Sequence, residues 1–113
     1  MSDEQVERWM DKIRSLAEPI RNAEYQIHKT DALIKKTLAQ SKLKAFGEGH
    51  KTIASQEVYA ENNPDLYKLR LELAVSKSNL SSLKVKLESY KIGFEEWRTE
   101  MVNAREEQKR YSV

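Results

Sequence analysis

Between Leu66 and Met101 an apolar side chain returns at every third and then every fourth residue. The series is Leu66, Leu69, Leu73, Leu80, Leu83, Leu87, Tyr90, Phe94, Trp97 and Met101, with Ser76 its one polar member. That mean spacing is the coiled-coil repeat, in which one stripe of a helix faces a partner over its whole length. The pattern predicts a single long helix over residues 64–110. Its start is written in Asn62, Asn63, Pro64 and Asp65. The residue before a proline is biased away from helix, proline suits the first turn, and an acid is favourable there. Gly93 is the only glycine inside the stretch, a weak point of about 1 kcal/mol relative to alanine.

The first half carries the same period through Val6, Trp9, Ile13, Leu16, Ile20, Ala23, Ile27, Thr30, Ile34, Thr37 and Ser41, a narrower and wetter seam. Pro19 interrupts it, and proline in a helix interior removes a hydrogen bond and crowds the preceding turn, so a kink or break is expected near Glu18. The expectation is a helix near residues 3–17 and a longer one near 20–46. Residues 47–63 hold two of the three glycines and predict a loop, mobile or containing one helical turn. Three glycines and two prolines are too little punctuation for a multi-stranded sheet. The fold class that follows is all-α: a long antiparallel, coiled-coil-like helical hairpin with a short N-terminal helix, a single domain over residues 1–113. Folded this way, the hairpin puts Trp97 opposite the region of Ile13, and Arg98 near Glu95, Glu7 and Asp11.

A hairpin helix ordinarily leaves its outer face polar. Here Leu71, Val85 and Ile92 recur at seven-residue spacing with Ser78 between them, flanked by Ala74, Val75, Ser81, Ser82 and Ser89. A helix apolar on two sides belongs in a bundle or an oligomer. Leu71, Ala74, Val75, Ser78, Ser82 and Val85 are the candidate homo-oligomer interface, although an open face with harmless serines satisfies the same pattern.

The net charge of +2 conceals an uneven distribution. Arg70, Lys77, Lys84, Lys91, Arg98 and Arg105 stand at strict seven-residue intervals, a ladder with rungs about 10 Å apart along one flank of the seam. The facing edge of the first half offers Met10, Ala17, Glu24, Asp31 and Leu38, too few acids to pair with it. From Ala32 to Gly47 the charges are Lys35, Lys36, Lys42 and Lys44, without an acid. Folding brings these beside Lys77 and Lys84, bordered by Phe46, His50, Tyr59 and Tyr67, while Asp3, Glu4, Glu7, Asp11, Glu95, Glu96 and Glu100 gather at the other end. Cations that neutralise phosphates beside rings that stack on bases are the combination used for single-stranded nucleic acid. The candidate nucleic-acid-binding residues are therefore Lys35, Lys36, Lys42, Lys44, Phe46, His50, Lys51, Lys77 and Lys84, with no module that reads sequence.

Catalytic chemistry has no foothold in the pattern. His28 and His50 lie far apart without a HExxH motif, cysteine is absent, and the GEG at residues 47–49 lacks the lysine and hydroxyl residue of a phosphate-cradling loop. The expectation is a protein that is not an enzyme, with no metal and no cofactor. Acids in the first twenty residues and short apolar runs argue against a secretory signal and a membrane span, which predicts a cytoplasmic location and no membrane partner.

The stretch FEEWRTEMVNAR, with Trp97, Arg98, Asn103 and Arg105, and the stretch KLKAFGEGHKT followed by an acidic, alanine-rich segment and the leucine seam, resemble a group of small helical phage proteins encoded near recombination genes. The likeness covers residues 38–106. More weakly, length, helix order and the element Lys42, Lys44, Phe46 and Gly47 are similar to the UvsY family of recombination mediators of T-even bacteriophages, although Ala45 and Phe46 stand where paired tyrosines are expected. The resemblance implies a homo-oligomeric, single-stranded-DNA-binding accessory that helps load a strand-exchange recombinase onto DNA coated by single-strand-binding protein. A reading from another class needs only the seam and the small outer face: a coiled-coil scaffold, an assembly chaperone or a regulator that binds a host protein, its lysines merely solubilising.

Overall fold

A computed structural model describes residues 2–111, side chains from Asp3 onward, as four α-helices with no strand among them. These are α1 (Ser2–Arg14), α2 (Ala17–Gly47), α3 (Ile53–Glu61) and α4 (Pro64–Tyr111). The chain divides into two compact units, one of Met1–Ile20 with Ser81–Val113 and one of Arg21–Leu80. Each unit pairs a stretch of the first half with a stretch of α4.

In both units every residue of the two apolar series is buried or half-buried, while the positions between them are mostly exposed. The 21–80 unit is sealed by Ile34, Ala45, Ala60 and Leu66, with Thr30 and Ser41 buried beside them. The other unit closes on Leu16 and on an aromatic group: Trp9 and Phe94 have ring centroids 6.4 Å apart, and Phe94 and Trp97 stack at 6.1 Å. Lys12 lies over both Trp9, at 4.9 Å, and Tyr90, at 5.9 Å. Contacts that step forward along α1 from Trp9 to Lys12 thus step backward along α4 from Phe94 to Tyr90, which makes the pairing antiparallel.

The break between α1 and α2 falls at Ser15 and Leu16, upstream of the position Pro19 suggests. Pro19 sits in the first turn of α2, where a backbone N–H has no acceptor within the helix, so its missing donor is harmless. The Ser15 hydroxyl donates to the Lys12 carbonyl at 2.6 Å and closes the end of α1. A second difference is α3, nine helical residues inside the segment read as a loop or a single turn. Thr52 caps it, its Oγ1 accepting from the Ser55 amide at 3.1 Å, and the helix-favouring Ala54, Gln56, Glu57 and Ala60 continue it.

That extra helix also changes the register. Asn63 Nδ2 donates to Ser41 Oγ at 2.9 Å, so α4 begins beside Ser41, and α2 runs on to Gly47 past that point while α3 returns the chain. A hairpin pivoting on the middle of residues 47–63 places Trp97 against Ile13, whereas Trp9 meets Gly93 and Phe94, about two helical turns from that expectation.

Candidate nucleic-acid interface

The basic residues of the 21–80 unit are organised by the end of α2. There the amide of His50 donates to the Ala45 carbonyl at 3.0 Å and that of Gly49 to the Phe46 carbonyl at 3.2 Å, the paired closure of a Schellman motif. Gly49 has φ +102°, a left-handed conformation that glycine adopts without steric cost. The turn swings His50 toward α3. Its Nδ1 lies 2.5 Å from Ser55 Oγ and its ring 5.3 Å from that of Tyr59, while its carbonyl accepts from Gln56 Nε2 at 3.0 Å. His50 is half-buried in this network, which ties α3 to the turn. The Glu48 carboxylate hydrogen-bonded to Tyr59 holds the phenol above its ordinary pKa of 10.0, with partial desolvation adding to the effect and Lys44 opposing it.

Phe46 is 51% exposed, and Lys51 Nζ stands 4.2 Å from the centre of its ring. A cation already rests on the surface that a base would stack upon. Successive residues turn by about 100° on a helix, so Lys35, Lys42 and Phe46 share one flank of α2 and Lys44 occupies the opposite flank. Lys35 pairs with Asp31 one turn earlier, at 3.5 Å, an acid just outside the acid-free stretch. Lys42 is half-buried near Glu61, and Lys44 is exposed beside Tyr59. Lys36 on α2 and Lys77 on α4 are exposed and make no ion pair among the described residues. Lys77 does not stand beside Lys42 and Lys44 as expected: α4 starts beside Ser41 and runs back along α2, which carries Lys77 about 20 Å along the axis away from them. Lys84 belongs to the other unit, where it too is exposed.

The ladder divides along its length. Arg70 is held bidentately by Glu61, with Nη2 2.9 Å from Oε1 and Nη1 bonded to Oε2. Lys91 pairs with Glu88 at 3.5 Å and Arg98 with Glu95 at 3.9 Å, both within α4. Glu7 and Asp11, expected near Arg98, pair instead with Arg14, at 3.4 and 3.6 Å. The outward residues of α4 are all exposed: Leu71, Ala74, Val75 and Ser78 in the 21–80 unit, and Ser82, Val85 and Ile92 in the other.

Sequence reasoning missed the engagement of Arg70 by Glu61. The heptad spacing marks Arg70 as a ladder member, but Glu61 sits on α3, a helix that the pattern does not announce. No three His, Cys, Asp or Glu side chains among the described residues converge as a metal site. No helix among them is long and apolar enough to cross a membrane. No protein-family model, curated protein or solved structure matches the chain.

Proposed function

We propose that the chain is a non-enzymatic accessory protein of phage type that binds single-stranded DNA and helps load a recombinase onto it, working as a homo-oligomer in the host cytoplasm. The observation that carries the reading is the acid-free run of lysines on α2 and the turn that closes it. Lys36 is exposed and makes no ion pair among the described residues, and Lys42 and Lys44 precede a turn that presents Phe46 and Lys51. Phosphates supply the charge these ammonium groups lack, and an exposed ring next to them offers a stacking surface that tolerates any base. The likeness of the WRT and NAR stretches to phage recombination accessories supports the choice of partner, with a recombinase and a single-strand-binding protein as the further contacts.

Binding of a fluorescent oligothymidine measured against salt tests the reading. Affinity falls steeply as salt rises if counterions are released, and changing Lys42 and Lys44 together to alanine flattens the slope by about 1 to 2 units. Lys109 and Arg110, exposed near the end of α4, are the control pair and leave the slope unchanged. An absence of binding at low salt overturns the proposal.

A scaffold reading has one observation in its favour. Leu71 and Val75 are 50% and 60% exposed, and Val85 and Ile92 are 67% and 57% exposed, on a helix whose other side is already half-buried. Under that reading the protein self-associates through these residues and oligothymidine binding is absent.

A further inference from the structure

Glu61 and Arg70 meet at the corner between α3 and α4 in a geometry that a phosphodiester reproduces. The guanidinium presents two parallel N–H donors to two carboxylate oxygens, the same fork that grips two phosphate oxygens. Lys42 adds its charge from α2. The Glu61 carboxyl lies below its ordinary 4.5, chiefly through the Arg70 hydrogen bonds, with partial desolvation opposing and the Arg70 and Lys42 charges adding to the lowering. Arg70 grips the carboxylate directly, and Lys42 acts on it through its charge alone.

The corner does not need this pair to hold it together. Ala60 is fully buried and Leu66 is 1% exposed on either side of it, and Asn63 is already tied to Ser41. The Arg70 and Glu61 side chains themselves are 44% and 52% exposed, so water and solutes reach both. The pair is therefore open to exchange, since an anion arriving from solvent meets the same two donors that hold the carboxylate.

We infer that Glu61 is a built-in phosphate mimic: it occupies Arg70 in the free protein, and a phosphodiester of the bound single strand displaces it to sit between Arg70 and Lys42. The inference rests on the DNA-binding reading above and adds two things to it. Arg70 becomes a contact residue, and Glu61 becomes an internal competitor that weakens binding to any strand unable to displace it.

The test is oligothymidine titration of the full chain and of Glu61→Gln, Arg70→Gln and the double variant, with Glu57→Gln as a control of equal charge change. Glu61→Gln is expected to bind up to about fivefold tighter at a given salt concentration, because the phosphate no longer has to displace an exposed carboxylate from Arg70. Arg70→Gln alone changes affinity little, and it cancels the gain when combined with Glu61→Gln. In the unaltered protein the side-chain N–H signal of Arg70, followed by nitrogen NMR, shifts as oligothymidine is added. An unchanged affinity in Glu61→Gln, a gain that survives in the double variant, an equal gain in Glu57→Gln, or an unmoved Arg70 signal overturns the inference while leaving DNA binding intact. Absence of binding by both the unaltered chain and Glu61→Gln overturns the two readings together.

Discussion

Trp9 lies on Gly93 so closely that a β-carbon added to the glycine would stand 2.8 Å from the indole Cη2 and 3.0 Å from Cζ3. The helix accepts its weakest internal residue at the one place where the indole needs the space. Gly93→Ala gains about 1 kcal/mol of helix propensity and sets against it an overpacking cost of about 1 to 3 kcal/mol, because the rigid ring also contacts Phe94 and Lys12. We expect a lower melting temperature and a shifted tryptophan emission. In a Trp9→Leu background the same substitution should stabilise the protein instead. A Gly93→Ala protein that melts higher than the parent would show that the indole moves aside freely.

Trp97 and Arg98 are neighbours in sequence with different work to do. Trp97 is half-buried and stacks on Phe94, so Trp97→Ala should destabilise by about 2 kcal/mol, below the 3 to 5 kcal/mol of a fully buried tryptophan. Arg98 touches Glu95 and the Phe94 ring, both on its own helix. Arg98→Ala should melt within about 0.5 kcal/mol of the parent, as an exposed pair does, and bind oligothymidine nearly as well. Thermal melting and titration of the two variants separate these outcomes. A folded Arg98→Ala protein that no longer binds would extend the site along the whole ladder.

These residues show what the pattern could and could not convey. A seam is a local property, so Leu66 through Met101 and Val6 through Ser41 could be read from spacing alone, and no member of either series is exposed. Register is not local. It depends on how many residues α2 and α3 consume before Asn63 meets Ser41, and a nine-residue helix announced only by Thr52 moves Trp9 onto Gly93. The lysines of the candidate site were visible as an acid-free run, but their partners were not. Asp31 lay one residue outside that run, and Glu61 reached Arg70 across a corner between helices.

The turn after α2 depends on Gly49. A β-carbon has open space there, but φ of +102° lies where other side chains are strained. Gly49→Ala should therefore cost about 1 to 2 kcal/mol through backbone conformation alone. Because His50 and Ser55 hang from this turn, hydrogen exchange should rise first in α3 while the amides around Trp9 stay protected. Uniform loosening throughout the chain would show that the turn is not the local hinge of α3.

The Glu61–Arg70 pair also has a pH signature. The folded carboxyl lies below its ordinary 4.5 because of the Arg70 hydrogen bonds, so the stability it contributes is present above that value and is lost as pH falls through the folded pKa. Melting temperatures of the parent and of Glu61→Gln should differ most near neutrality, with the parent higher, and converge in acid. A difference that persists below the folded pKa would mean that the pair acts through packing.

Self-association, if it uses the outer side of α4, must use particular residues of one unit or of both. Val75 and Ser78 test the 21–80 unit, and Ser82 and Val85 test the other; all four are exposed in the single chain. Glutamate at these positions is innocuous in water, because the helix face is open there and glutamate is a good helix former. Buried against another helix it would place a charge with no partner in a close apolar contact, at a cost of several kcal/mol. Light scattering on a Val75→Glu, Ser78→Glu pair and on a Ser82→Glu, Val85→Glu pair should therefore report smaller particles for whichever unit carries the contact, with helicity unchanged. If neither pair lowers the mass of an oligomeric parent, the outer side of α4 faces solvent and the copies meet elsewhere.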